Sequence, residues 1–222
     1  MKYCTFYIVR HGETDWNALK LVQGHTDILL NKKGENQAKS LGQKLNKIRF
    51  DAIFSSDLLR AKRTAEIIAI EREIKVKATE KLRERYFGRL EGKSWKDENG
   101  ELKYLWKKLI NLTEEERRIH KLERVENNHD LIKRLVPFLN ETAVIYGGKN
   151  VLVVTHGGLM RVFLLHVGFG TDENLPSGSI DNLAYIKVDY DGADFIIKET
   201  FGIKKITPQK SQVRSSNGER KT

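Results

Sequence analysis

Apolar positions along this chain recur in two alternating rhythms. The segment "YCTFYIV" (3–9) is apolar throughout and rich in aromatic and β-branched residues, the pattern of a strand covered on both faces. Downstream, Ala38, Leu41, Leu45 and Ile48 fall at helical spacing behind Asn31, a residue suited to cap a helix. "FDAIFSS" (50–56) predicts a second strand, after which Asp57 is expected to cap a helix with the stripe Leu58, Ala61, Ala65 and Ile68. "IKVKATE" (74–80) reads as an edge strand. Residues 91 to about 130 carry many charges, Trp95 and Trp106, and no β pattern, which predicts a mainly helical insertion. A helix around Asp130–Leu139 follows, then the apolar strand "NVLVVTHGG" (150–158) and the apolar helix "LMRVFLLHVG" (159–168). The last pattern, "LAYIKVDYDGADFIIKETF" (183–201), alternates about Asp191-Gly192, a favourable hairpin turn.

Strands alternating with helices imply an α/β fold: a three-layer α/β/α sandwich with a mostly parallel central sheet and a C-terminal antiparallel hairpin. The reading is one domain over 1–203, interrupted by the helical insertion at about 91–130, and a basic tail over 204–222. That tail has almost no large apolar residues and is expected to be disordered.

Composition narrows the class. Hydrophobic residues at 39% and charged residues at 32% fit a globular chain better than a disordered or membrane one. The opening apolar run is too short for a signal peptide and is broken by Arg10 and His11, so a cytoplasmic protein with no membrane partner is expected. The single Cys4 can form no internal disulfide and belongs to no zinc-ligand pattern, and it reads as a small buried strand residue. The net charge is +10, but six cations against one anion between Ile203 and Thr222 supply half of it. The charge therefore describes a solvated tail before it describes a nucleic-acid surface.

Chemistry collects where strands end. Arg10-His11-Gly12 and His156-Gly157-Gly158 each follow a strand, and Arg60 lies in the first turn of a helix that follows a third. In open α/β sheets such loops converge at one edge, where ligands bind. Two imidazoles and two guanidiniums in one crevice repel each other unless an anion fills it, and a tetrahedral oxyanion matches the guanidinium forks and helix N-termini. His11 can then act as a nucleophile through one ring nitrogen while a backbone carbonyl fixes the other, with Gly12 allowing close backbone approach. Arg10, Arg60 and His156 are available for charge neutralisation, and Glu84 in "LRERYFGRLEG" for protonation of a leaving oxygen. Glu13 reads as a supporting hydrogen-bond partner. His25, His120, His129 and His166 have no partner motif and read as structural or exposed; Trp95, Trp106 and Tyr104 read as packing within the insertion.

These stretches, "VRHGETDWN", "LVQGHTDILLNKKGENQA", "FDAIFSSDLLRAKRTAEII", "LRERYFGRLEG" and "VLVVTHGG", resemble in order and content the histidine phosphatase superfamily, the phosphoglycerate mutase-like proteins; "SIDNLAYIKVD" resembles its late strand more weakly. The resemblance implies that His11 is phosphorylated, that Arg10, Arg60 and His156 complete the phosphate pocket, and that Glu84 is the proton donor. It further implies that Asn17 contacts the phosphoryl group, that Gln23 and Gly24 flank the substrate, and that Gly157 offers its backbone N–H. It implies neither metal nor cofactor. The expected activity is metal-independent hydrolysis of a small phosphorylated metabolite. A mutase-type phosphotransferase is the alternative: "ERYFG" resembles the mutase version, but Arg117 and Arg118 lack the Pro-Pro that follows the paired arginines of mutases. A non-catalytic phospho-ligand or nucleic-acid binder is a third reading. Nucleic acid is not the expected partner, and a homodimer is left open.

Overall fold

The computed structural model describes residues 3–70, 72–110, 112, 113, 115, 116 and 125–207. Six strands, β1 (Cys4–Arg10), β2 (Ala52–Ser56), β3 (Val76–Thr79), β4 (Asn150–Thr155), β5 (Ile180–Tyr190) and β6 (Phe195–Ile203), form one sheet in the order β3-β2-β4-β1-β5-β6. The first four in that order are parallel, while β5 runs antiparallel to β1, and β6 antiparallel to β5. The segment expected at the edge, β3, lies there.

Both faces of the sheet are covered, which is why β1 reads as continuously apolar. Along β1, Phe6 and Ile8 point to one face and Tyr7 and Val9 to the other, as the twofold period of a strand requires. The Tyr7 face receives α2 (Lys32–Lys44) and α3 (Leu59–Ala69) through Ala38, Leu41, Ala61, Ala65 and Ile68. The Phe6 face receives α5 (Asn128–Ile145) and α6 (Gly157–His166) through Leu131, Leu135, Leu139, Met160 and Phe163. Each fully buried Leu or Phe contributes roughly 1.5–3 kcal/mol relative to exposure, so these two cores hold the strand ends in place. Cys4 is buried in the Phe6 core. Two further α-helices are α1 (Asp15–Leu19) and α4 (Glu101–Ile110), whose Leu102 joins Val22 and Leu90 in a small separate core, and tighter helical turns lie at Glu80–Leu82 and Gly88–Leu90.

Several local details differ from the sequence expectation. Asp57 does not cap α3. Leu58 is the N-cap residue and makes no side-chain bond, and the Leu59 N–H donates to Asp27 Oδ1 at 2.7 Å from a distant loop. Asp57 instead accepts both prongs of the Arg83 guanidinium, at 2.8 and 2.5 Å, two charge-assisted bonds in place of one neutral cap. The helix expected at 130–139 extends over Asn128–Ile145. It starts at a capping box between Asn127 and Asp130 and runs through Pro137. The β5–β6 connection takes four residues, Asp191 to Asp194, with Gly192 at φ +103° and the Asp191 carboxylate accepting from the Ala193 and Asp194 N–H groups. Arg117, Arg118, His120 and the tail from 208 lie outside the described residues.

Candidate active site

Because β3, β2, β4 and β1 are parallel, their carboxyl ends share one edge, and each delivers a polar side chain there. Arg10 is the last residue of β1 and pairs in register with Thr155, the last of β4; His11 and His156 come next on each strand. The loop after β2 delivers Arg60 in the first turn of α3, and the turn after β3 delivers Glu84. The His11 and His156 ring centroids are 5.1 Å apart, inclined at 62°.

The two rings are held differently. His11 is buried, and its Nδ1 lies 2.7 Å from the carbonyl oxygen of Gly12, which assigns the proton to Nδ1 and leaves Nε2 with a bare lone pair. His156 is fully buried at the N-cap of α6, and neither of its ring nitrogens has a hydrogen-bond partner among the described residues. Burial holds both rings well below the ordinary histidine value, reinforced for each by the Arg60 and Arg10 guanidiniums. Both imidazoles are therefore neutral at pH 7.

The arginines are anchored from behind. Arg10 Nη1 donates to the Ile180 carbonyl, and Arg60 donates from Nη1 to Thr26 O at 3.0 Å and from Nη2 to Gly24 O at 2.7 Å. Nε of each is buried without a partner. Arg60 is fully buried, and burial pushes its pKa down to about 10 against the opposing pull of Glu84 and Asp27. Two cations beside two buried imidazole nitrogens that lack a partner among the described residues are costly, at roughly 1–3 kcal/mol for each unmet polar group, and an anion there recovers that cost. Glu84 closes the pocket: its Oε1 accepts from the Arg85 N–H at 2.7 Å and its Oε2 from the Gly158 N–H at 2.8 Å at the α6 N-terminus.

The remaining expected residues gather around this group. Asn17 Oδ1 takes part in the α1 capping box with Thr14 and accepts from Asn182 Nδ2 at 3.2 Å, so the Asn17 amide nitrogen is the end left for a ligand. Gln23 is oriented by Thr14 Oγ1 at 3.0 Å on its oxygen, and its Nε2 is buried and unpaired. Gly24 works through its carbonyl, which holds Arg60, and a Cβ there would lie 2.0 Å from Glu91 Oε1. At Gly157 a Cβ would crowd Arg10 Nε at 3.1 Å, and at Gly158 one would strike Glu84 Oε1 at 2.4 Å. Gly12 does something other than admit a phosphate. A Cβ on it would sit 2.6 Å from the Gly34 carbonyl of α2, and its N–H donates to Thr64 Oγ1 at 3.0 Å, so the glycine permits helix packing. Glu13 holds the loop to α2 through Asn31, Lys33 and Gln37.

Sequence reasoning missed Asn182, whose Nδ2 also donates to His11 O at 3.1 Å, and Thr64, which accepts from Gly12 N while donating to Arg60 O at 2.7 Å. Leu183, beside Asn182, has φ +56°, a left-handed backbone uncommon outside glycine. No three His, Cys, Asp or Glu side chains among the described residues are grouped to hold a metal ion. No helix among them is long and apolar enough to cross a membrane.

Fold and site together define an α/β protein that gathers two arginines, two buried histidines and a glutamate at the carboxyl edge of its parallel strands. The histidine phosphatase superfamily (branch 1) profile matches residues 6–201, and the chain belongs to that superfamily. Relatives carry the names of both phosphatases and mutases. "Uncharacterized phosphatase PhoE" of Bacillus subtilis (strain 168) is 32% identical over 86% of this chain and 91% of its own length. "Probable phosphoglycerate mutase GpmB" of Erwinia tasmaniensis is 34% identical over 71% and 72%. Among solved structures, a phosphoserine phosphatase of Entamoeba histolytica in complex with 3-phosphoglyceric acid superposes with a TM-score of 0.75, at 26% identity, over 89% of this chain and 96% of that one.

Proposed function

We propose that the protein hydrolyses phosphomonoesters of small metabolites through a phosphohistidine at His11. The observation that carries this is the asymmetry of the histidine pair: a fixed, neutral His11 with Nε2 free, facing a His156 with no partner of its own. His11 Nε2 attacks phosphorus, the bond to the ester oxygen breaks, and Glu84 gives its proton to that oxygen. Water then attacks the phosphorus, Glu84 takes the water's proton, and the N–P bond breaks to release inorganic phosphate. Arg10, Arg60 and neutral His156, donating one N–H, stabilise the charge that spreads over the equatorial oxygens. Two guanidiniums supply the charge neutralisation, so no metal ion is invoked. Asn17, Gln23 and the Gly157 N–H contact the same phosphoryl group or its ester side.

One feature supports a mutase reading. Glu84 lies within the mutase-like "ERYFG", and a second phosphorylated ligand bound beside it would accept the phosphoryl group instead of water. Turnover of p-nitrophenyl phosphate in the presence of a chelator tests the hydrolase reading, with 2- and 3-phosphoglycerate assayed alongside for interconversion. Acid-labile, base-stable protein-bound phosphate must appear in the wild type and be absent in His11→Ala. Interconversion faster than phosphate release would favour the mutase.

A further inference from the structure

The carboxyl group of Glu84 meets the α6 N-terminus, but its main chain is held from the other side by a side chain with no place in the phosphate pocket. Arg134, nearly two turns into α5, donates from Nη1 to the Lys81 carbonyl at 2.9 Å and from Nη2 to the Glu84 carbonyl at 3.0 Å. One rigid guanidinium thus brackets both ends of the four-residue turn that carries Glu84 out of the 80–82 helical turn. His25 Nε2 lies 2.9 Å from the same Glu84 carbonyl. Glu126 completes the assembly. It accepts from Arg134 Nε at 3.2 Å and Nη2 at 3.3 Å, faces His25 Nε2 at 3.9 Å, and accepts the Tyr86 N–H at 2.8 Å. Arg134 is 18% exposed and Glu126 24%, so these are sheltered interactions rather than mobile surface pairs.

We propose that Arg134 is a positioning residue for the proton donor, acting with His25 and Glu126 as a clamp on the Glu84 main chain. The inference rests on Glu84 being the general acid. A planar guanidinium suits the task because it fixes two carbonyls at once, which a flexible ammonium does not. Protonation of a leaving oxygen depends on hydrogen-bond reach within a few tenths of an ångström, so a turn released from this clamp leaves the carboxyl in the crevice but poorly aimed. Glu126 also joins the clamp to the far end of the insertion, since its N–H donates to Tyr86 O at 3.0 Å and its own carbonyl accepts from Arg85 at 2.5 Å.

The test separates aim from stability by the leaving group. p-Nitrophenolate departs with little need of a proton, whereas the alkoxide of β-glycerol phosphate requires one. For Arg134→Gln, kcat/KM is expected to fall on the order of 30- to 100-fold with β-glycerol phosphate and only several-fold with p-nitrophenyl phosphate, the direction Glu84→Gln shows more strongly. Glu126→Gln and His25→Gln should shift the same ratio by smaller factors, and they carry the test if Arg134→Gln does not fold. Arg63→Gln, which removes an exposed arginine paired with Glu35, should leave the ratio at the wild-type value. Equal losses on both substrates in all three clamp variants would overturn the inference and reduce the clamp to a stabilising contact. An unchanged ratio in Glu84→Gln would overturn the acid assignment itself, and this inference with it.

Discussion

The ends of β1 and β4 look alike in sequence and differ in chemistry. Each is an apolar parallel strand that delivers a buried histidine followed by glycine, and the two strands pair in register up to Arg10 and Thr155. At the β1 end the histidine is tied down on three sides within the protein: His11 Nδ1 to Gly12 O, Gly12 N to Thr64, and His11 O to Asn182. At the β4 end Thr155 Oγ1 donates to Leu82 O and Gly158 N to Glu84, but the histidine ring itself is uncommitted, since neither nitrogen of His156 has a partner among the described residues. The difference separates two jobs. A nucleophile must be aimed before the substrate arrives, because orientation paid for in folding need not be supplied again in the reaction. A charge-stabilising donor gains most from having no other partner, since its bond to the oxyanion then replaces nothing.

The sharpest way to break this comparison is to exchange the roles. His11→Ala should reduce turnover of p-nitrophenyl phosphate about 10⁴-fold or more and abolish protein-bound phosphate, because His156 has no backbone contact among the described residues that aims a ring nitrogen at phosphorus. His156→Ala should cost less, on the order of 10²- to 10³-fold in kcat/KM, and should still form phosphoprotein on rapid quenching. Phosphorylation surviving in the His11 variant and lost in the His156 variant would invert the assignment.

The histidine pair also makes stability depend on pH. Burial and the two arginines depress both folded-state values below the ordinary 6.5. Below that pH the unfolded chain binds protons that the folded chain refuses. Stability is therefore fully present above about pH 6.5 and falls as pH drops, by at most about 1.4 kcal/mol per pH unit for each ring. Urea titrations between pH 7 and 5 should show this slope, and His156→Gln should remove about half of it. Saturating inorganic phosphate should flatten the slope further in the wild type than in His156→Gln, because an anion beside His156 favours its charged form. A pH-independent midpoint would mean that the rings are protonated or solvated in the folded protein.

The contrast between the strand ends also explains what the sequence could disclose. Continuous apolar runs reveal β1 and β4, and a 3.6-residue period reveals α2 and α3, because burial on the sheet dictates them residue by residue, and "RHG" and "HGG" sit where the two apolar runs stop. What secures the site is non-local. Thr64 reaches Gly12 across 52 positions, Arg134 reaches the Glu84 carbonyl across 50, and Asn182 reaches His11 across 171. Asp57 misled for the same reason, since local rules make it a cap, whereas Arg83 lies 26 positions away in sequence and beside it in the fold. Glycine was misread once as well: Gly12 announces a close approach, but the chain alone does not say that the approaching body is α2 rather than a phosphate.

The end of β2 offers the finest division of the comparison. Arg60 is half committed, with both terminal nitrogens on the Thr26 and Gly24 carbonyls and Nε unpaired. The loop that carries those carbonyls also carries Asp27, whose carboxylate caps α3 at Leu59, one residue before Arg60. Cap and carbonyls therefore fix the same helix turn from the same loop. Asp27→Ala should cost about 1 kcal/mol of stability, the usual worth of a lost N-cap. If Arg60 is preorganised like the β1 end, the loosened turn should raise KM for p-nitrophenyl phosphate a few-fold while the phosphohistidine still forms. If Arg60 instead takes its final position only on the anion, as His156 is free to do, the variant should melt earlier with its KM unmoved.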